Sequence, residues 1–329
     1  MTLLRVTGLK VETEGLPVLR GVDFEVSAGE RVGLIGESGS GKTVAALAIM
    51  GLQPEGFAVQ GSVEFEGGQL VGLSDREFSA IRGARMAMVF QEPMTALDPL
   101  MRVGQQIVDA VRAHRRLSRS GARRRMLELM SRVGFPSPEE QSRRFPHQLS
   151  GGQRQRVVIA IALACDPALI LADEPTTALD VTVQAQVLAL LQRLVAEEGS
   201  ALLLISHDLA VVSSVCRRVL VMYGGTLVEA ASTEEILEAP RHPYTAALLE
   251  TSAGIGARSQ LAAGRLPTIP GSVPSLGGFP EGCVFRGRCP REQARCQEAP
   301  PLVGDGHQFA CWFPLQPGSA SMGRSSVGL

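Results

Sequence analysis

The chain has no run of about 18 uninterrupted apolar residues, the length a membrane-crossing helix needs. Its nearest approach, Val157–Ala172, is broken by Asp166 and Pro167. The first residues, Met1-Thr2-Leu3-Leu4-Arg5, show no charged stretch leading into an apolar core, so no secretory leader is expected. There is no excess of charge either: 32 Lys and Arg against 33 Asp and Glu leave a net charge of -1. Such a balance argues against a chain built to coat nucleic acid or an anionic membrane. Aromatic residues are scarce, with 1 Trp and 2 Tyr. These absences point to a soluble, cytoplasmic protein whose association with a membrane would have to come through a partner.

What remains is ordinary globular material: 329 residues, 45% hydrophobic and 20% charged, a length that suggests about two domains. Arg31–Ile35 reads as a short buried strand bounded by glycines, and Lys42–Leu52 as a helix. Strands are also expected at Val18–Val26, Ser62–Glu66, Met86–Phe90, Leu169–Ala172 and Ala201–Ile205. From about Arg102 to Val133 the periodicity turns helical, with Met126, Met130 and Val133 on one face, and a mostly helical insertion is expected between about Glu92 and Pro146. After it, Val183, Val187, Leu190, Leu191 and Leu194 share a helix face. Strands alternating with helices predict an α/β fold with a parallel sheet covered on both faces. Ser232-Thr233-Glu234-Glu235 is a capping box. Past about Gly254 the composition shifts to Gly, Pro, Arg and Cys, which sets residues 1–253 apart from an extension at 254–329.

Between the strand at Arg31–Ile35 and the helix from Lys42 lies Gly36-Glu37-Ser38-Gly39-Ser40-Gly41-Lys42-Thr43. This is G-x-x-x-x-G-K-[ST] in the strand–turn–helix context that gives it meaning. The glycines let backbone N–H groups converge on phosphate oxygens at the positive end of the helix. Lys42 would reach the β- and γ-phosphates, and Thr43 would ligate Mg²⁺. Asp173-Glu174 follows an apolar strand, and a carboxylate at the C-terminal end of a parallel strand points into the ligand crevice. Asp173 would hold Mg²⁺, and Glu174 would act as general base toward the attacking water. The bland alternative is an Asp-Glu pair that opens a turn.

Leu149-Ser150-Gly151-Gly152-Gln153 is a second helix start preceded by small residues, and so a second place for an anion. It resembles the signature motif of ABC ATPases. That resemblance implies two ATP molecules sandwiched in a dimer, the signature of one subunit closing over the nucleotide of the other. The remaining motifs of that family stand in order. Gln91 matches the Q-loop glutamine, which contacts Mg²⁺ and senses the membrane subunit. Ala178-Leu179-Asp180 matches the D-loop, with Asp180 at the dimer contact. His207 in Ser206-His207-Asp208 matches the switch histidine at the γ-phosphate. The resemblance covers about Leu4 to Ala239 and implies an ABC-type phosphate-loop ATPase: a RecA-like core, a small antiparallel β part and a helical subdomain at about 92–165. One feature departs from it. The family places an aromatic ring under the adenine, and by spacing from Lys42 that position falls near Thr13, where there is none. Relaxed base selectivity is therefore expected, with hydrolysis of GTP as well as ATP.

Within that family, Phe90-Gln91-Glu92-Pro93-Met94-Thr95-Ala96-Leu97-Asp98-Pro99 resembles the Q-loop of peptide and nickel importers. Arg241-His242-Pro243-Tyr244-Thr245 resembles the HPY motif of their C-terminal extension, and Ile269-Pro270-Gly271-Ser272-Val273-Pro274 continues the match. The whole chain resembles an ATP-binding subunit of the dipeptide/oligopeptide importers. The partners so implied are a second, homologous ATPase forming a heterodimer, two integral membrane permeases and an extracytoplasmic solute-binding protein. The location implied is the cytoplasmic face of the cell membrane, and the substrate a peptide, with nickel or another small solute as the alternative. A soluble ABC ATPase acting on nucleic acid or ribosomes is the competing class, for which the basic run Arg112–Arg125 could be cited. The HPY segment, the single ATPase domain and the neutral charge argue against it.

The chain has six cysteines. Cys165 and Cys216 sit in apolar surroundings and read as inert thiols. Cys283, Cys289, Cys296 and Cys311 give C-x5-C-x6-C-x14-C, flanked by Arg286, Arg288, Arg291 and Arg295. From the residues, a zinc ion, an iron–sulfur cluster and unligated thiols all remain open. The resemblance implies a [4Fe-4S] cluster.

Overall fold

The computed structural model describes residues 1–177, 179–252 and 268–316. The parts of the expected extension at 254–267 and 317–329, and Ala178 of the D-loop motif, lie outside the described residues. Two sheets organise the chain. A four-stranded antiparallel sheet has the order β2-β1-β4-β5, formed by β1 (Thr2–Thr13), β2 (Leu16–Ser27), β4 (Phe57–Phe65) and β5 (Gly68–Gln69). A seven-stranded sheet has the order β11-β10-β9-β3-β8-β7-β6. Its strands are β3 (Arg31–Ile35), β6 (Met86–Val89), β7 (Leu169–Asp173), β8 (Ala201–Ser206), β9 (Arg218–Tyr223), β10 (Thr226–Ser232) and β11 (Gln308–Phe309). From β9 through β6 the pairings are parallel, while β10 and β11 pair antiparallel.

The strand alternation shows why this sheet is covered on both sides. Along β8, Leu202 and Leu204 enter one apolar cluster, while Ala201, Leu203 and Ile205 enter another. The second cluster fills the space between the two sheets and takes in α1 (Lys42–Met50) through Ala45, Ala46 and Ile49; α2 (Asp75–Ile81) closes it with Phe78. The first lies under α7 (Gly151–Ala162), α8 (Val181–Glu198) and α9 (Leu209–Val215). It continues into the helical insertion of α3 (Pro93–Ala96), α4 (Val103–His114), α5 (Arg119–Arg132) and α6 (Pro138–Gln141).

The helical stretch from Arg102 to Val133 is two helices, α4 and α5. Ser118 caps α5, its hydroxyl accepting from the Gly121 N–H (3.1 Å), and the chain turns before it. In the basic run, Arg115 and Arg125 both bind Asp166 and Arg123 pairs with Glu139, so part of that charge is offset within the fold. Of the two other cysteines, Cys216 caps the end of α9, and burial pushes its thiol up to about 12. Among the described residues, no helix is long and apolar enough to cross a membrane.

The last helices, α10 (Thr233–Glu238) and α11 (Pro243–Thr251), lead into the extension, which packs back on the main sheet. Ser232 and Glu235 form the expected capping box of α10. Phe285 is fully buried and meets Tyr223 and Tyr244 edge-on, at centroid distances of 5.2 and 5.4 Å. β11 joins the sheet beside β10, and there Glu229, fully buried, becomes a hub. Its carboxylate accepts from the backbone N–H groups of Arg241 (2.6 Å) and His242 (2.8 Å) and binds the His307 ring (2.6 Å). His242 then caps α11, its Nδ1 accepting from the Tyr244 N–H (3.0 Å). Burial lowers the His242 imidazole to about 4, which keeps it neutral and able to accept.

The far end of this chain of contacts is the phosphate loop. The Glu37 N–H donates to the Tyr244 hydroxyl (2.8 Å). The Glu37 carboxylate receives both guanidinium nitrogens of Arg288, at 2.7 and 3.2 Å. Arg288 also donates to the Pro270 carbonyl (2.8 Å) and the Tyr223 hydroxyl (3.1 Å). A buried guanidinium with a bidentate carboxylate partner fixes distance and orientation together. Replacing Arg288 with Met should leave Glu37 and Tyr223 unpartnered and cost about 2 kcal/mol or more of stability. Chemical denaturation of R288M, E37Q and the double variant checks this; the expected outcome is a double-variant loss well short of the sum of the single losses.

Candidate functional site

The phosphate loop bridges β3 and α1. Gly36 and Gly41 both have backbone angles in the left-handed half, with φ of 154° and 98°. A Cβ at Gly36 would lie 2.2 Å from the Met222 carbonyl, which excludes a side chain there, and at Gly41 the φ itself would strain one. Lys42 is nearly buried and spans the loop, its Nζ donating to the carbonyls of Gly36 (2.8 Å) and Glu37 (3.0 Å). Burial pushes its ammonium down, and the carboxylates of Glu174, Asp173 and Glu37 oppose that. The Thr43 hydroxyl donates to Asp173 Oδ1 (3.2 Å), which brings the two oxygen groups expected at a hard cation together across 130 residues of chain. This all-oxygen pair, beside a loop of backbone amides, suits Mg²⁺.

Asp173 ends β7, and Glu174 leaves the strand in the left-handed region, φ 44°, a conformation that costs a non-glycine residue about 1 kcal/mol or more. The turn aims its carboxylate into the cleft, where three side chains meet it. Thr177 Oγ1 donates at 2.8 Å, Gln91 Nε2 at 3.2 Å, and His207 Nδ1 lies 3.1 Å away. Burial pulls the Glu174 carboxyl up, but the contacts from His207 and Thr177 outweigh it, and the net direction is down. Asp173 goes the other way: burial raises it, and the Thr43 bond only partly offsets this. Glu174 is therefore the readily ionised member of the pair. The structure brings the sequence candidates Gln91, Asp173, Glu174 and His207 to one end of the phosphate loop.

One cleft of about 940 Å³ runs along the loop; Glu37, Ser38, Gly39, Gly41, Lys42 and Thr43 line it beside Gln91, Glu174 and His207. The signature segment is elsewhere. Among the described residues lining this cleft, none comes from 149–153. Ser150 caps α7, accepting from the Gln153 N–H (3.3 Å), while its own N–H donates to Gln153 Oε1 (3.1 Å). That cap uses the hydroxyl as acceptor and leaves its hydrogen free to donate. Leu149 is buried beneath, Ser150 and Gly151 are exposed, and Gly152 lies so close to α8 that a Cβ would meet Val183 at 2.5 Å. Asp180 caps α8, accepting from the Val183 N–H (3.0 Å), beside the exposed Val181.

Sequence reasoning did not find Tyr244 and Arg288 as contacts of the phosphate loop, nor Phe57 and Phe279 as walls of its cleft. The HPY motif gave a signal for Tyr244. Arg288 and the two rings gave none, because their partners are remote in sequence.

Cys283, Cys289, Cys296 and Cys311 line one enclosed cavity together with His242, Arg286, Arg291 and Trp312. All four are free thiols, and burial raises Cys283, Cys289 and Cys311, the last to about 11. Even so, among the described residues no group of three or more His, Cys, Asp or Glu side chains is arranged to hold a metal ion. The expected zinc or cluster thus has its four sulfur donors facing one space, but not a closed ligand set.

Comparison with known proteins agrees with this geometry. Residues 19–177 match the ABC transporter family, and residues 228–296 match the oligopeptide/dipeptide transporter C-terminal region. The chain is 48% identical over 303 residues to the probable D,D-dipeptide transport ATP-binding protein DdpD of Escherichia coli, covering 91% of each chain. It is 44% identical over 324 residues to the dipeptide transport ATP-binding protein DppD of the same organism, covering 96% of this chain and 98% of that one. Among solved structures, the ATP-binding cassette MJ0796, a dimer in a post-hydrolysis state bound to ADP and phosphate, aligns with a TM-score of 0.63. That likeness is 29% identical and covers 70% of this chain and 99% of the other. The chain belongs to the ATP-binding proteins of the ABC transporter family, in the group that carries the oligopeptide/dipeptide transporter C-terminal region.

Proposed function

We propose that this ABC ATPase powers peptide uptake as one half of an ATPase pair docked beneath a membrane permease. The observation that carries the reading is the split site. The phosphate loop, Glu174 and His207 line one cleft, with Asp173 bonded to Thr43 beside it, while Leu149, Ser150, Gly151, Gly152 and Gln153 present a second anion-binding helix start outside it. A second subunit bringing its own signature to this cleft completes both sites, and the exposed Val181 beside Asp180 suits that contact. The partner is a second, homologous ATPase.

In this reading Gly36, Glu37, Ser38, Gly39, Ser40, Gly41 and Lys42 cradle the phosphates. Thr43, Gln91 and Asp173 would hold Mg²⁺, which neutralises charge developing on the β- and γ-phosphates. Glu174 takes a proton from water as its oxygen attacks the γ-phosphorus. The bond to the bridging oxygen breaks, and ADP and phosphate leave. Gln91 and Thr177 orient the Glu174 carboxylate, and His207 orients it and faces the γ-phosphate. Gln91 also opens the Q-loop, where Phe90, Met94 and Leu100 are exposed, an apolar patch suited to a permease segment. Two permeases and an extracytoplasmic binding protein complete the machine, and the chain sits peripherally on the cytoplasmic side. Peptides are the proposed cargo because the relatives are named for dipeptide and oligopeptide transport.

The cysteine cavity is proposed to hold a [4Fe-4S] cluster, with zinc as the alternative. Four sulfur donors converge there beside Arg286 and Arg291, which suit a net negative group. A cluster spreads its thiolates more widely than a single ion does, and ligation would deprotonate thiols that burial now keeps neutral. The group would tie loops that hold few apolar residues of their own.

Glu174→Gln should lower turnover about 100-fold or more while retaining nucleotide and shifting the protein toward an ATP-bound dimer. Turnover assays with light scattering check it, and unimpaired turnover would refute the role. Anaerobic purification should yield a brown protein with stoichiometric iron and acid-labile sulfide, lost together on replacing Cys289 with Ser. Stoichiometric zinc without visible absorbance would favour the alternative.

A further inference from the structure

The nucleotide cleft has two ends. Gln91, Glu174 and His207 mark the γ-phosphate end, so the base must lie at the other. That end has no aromatic residue at Thr13, but its walls are not bare. In the antiparallel pairing of β1 with β4, Thr13 stands directly opposite Phe57. Directly opposed residues project from the same face of a sheet, and Phe57 lines the cleft. The neighbouring strand thus presents a ring where the first strand has none.

The facing wall comes from the extension. Pro274, Leu276 and Phe279 line the same cleft, as do Pro17 and Val18 at the start of β2. Phe279 is anchored for this. Its ring packs edge-on against Tyr223 (centroids 5.9 Å, 83°) and under the Arg20 guanidinium (5.8 Å). A Cβ on Gly224 would come within 2.8 Å of that ring, so glycine there makes the close approach possible. The loop bearing Leu276 rests on Leu16, since a Cβ on Gly277 would meet Leu16 at 3.2 Å. The Arg288–Glu37 ion pair holds the same extension to the phosphate loop, so phosphate cradle and apolar walls keep a fixed separation.

We propose that the purine base is held between Phe57 and the extension residues Pro274, Leu276 and Phe279, and that the extension is thereby part of the nucleotide site. The side chains that line these walls are apolar apart from Ser275. Packing and stacking on such walls accept any purine, because discrimination needs hydrogen-bonding groups aimed at the base edge. Adenine and guanine nucleotides should bind within a fewfold of each other. The inference rests on the nucleotide site described above.

Calorimetric titration of the full chain with ATP, GTP and inorganic tripolyphosphate tests it. Phe279→Ala should weaken ATP and GTP about tenfold and leave tripolyphosphate unchanged, because it shortens the wall and spares the cradle. Leu276 is 43% exposed, so Leu276→Ala and Leu276→Trp perturb the wall without disturbing the core. The first should weaken ATP, and the second should tighten it. ATP affinity unchanged in all three variants would overturn the proposal. So would equal losses of ATP and tripolyphosphate in both alanine variants, or an ATP preference over GTP of about 100-fold or more. Failure of the parent chain to bind ATP or tripolyphosphate would instead refute the nucleotide site itself.

Discussion

Glu37 is the point on which the architecture turns. It is the second residue of the phosphate loop, and the extension reaches the loop through it. Its amide binds Tyr244 of α11, and its carboxylate binds Arg288, which is almost fully buried. A loop rich in glycine has large conformational freedom to lose. Two polar anchors on one residue restrict that freedom, and of the loop's amides they use only that of Glu37. Behind Tyr244 stand His242 and the buried Glu229, so the clasp is continuous with the hydrogen bonding of the main sheet.

The electrostatics of the cleft follow from unequal burial of two adjacent carboxylates. Asp173 lies inside β7, where desolvation favours the neutral acid until a cation compensates it. Glu174 turns outward in a strained conformation, and its neighbours lower it despite partial burial. One backbone kink therefore gives two adjacent carboxylates opposite shifts, Asp173 up and Glu174 down. The strain persists because Glu174 is fixed on both sides, its N–H donating to the Ile205 carbonyl of β8 (2.9 Å) and its side chain meeting Thr177 and His207.

Much of this was legible in the sequence. The phosphate loop, the Asp173-Glu174 strand end, the signature cap and His207 are each short and contiguous, and a few neighbouring residues and one strand or helix boundary define each. The strands at Arg31–Ile35, Met86–Val89 and Ala201–Ser206 announced themselves as apolar runs buried on both faces. β1, β9, β10 and β11 were less legible. The first has polar residues on one face, and the others gain their place by pairing with strands distant in the chain.

The sequence alone determined the phosphate loop, because a phosphate cradle needs glycine, lysine and a hydroxyl residue at fixed local spacing. It also determined that the cleft lacks a ring at Thr13 and that four cysteines cluster near the end. Only the tertiary structure decided what surrounds that loop. Arg288 meets Glu37 across 251 positions, Phe57 supplies a ring from an adjacent strand, and Phe279 and Leu276 close the cleft from the extension. The thiols share a cavity for the same reason. Such contacts depend on how sheets and loops pack, and packing between distant segments leaves no periodicity or spacing for a linear reading to detect.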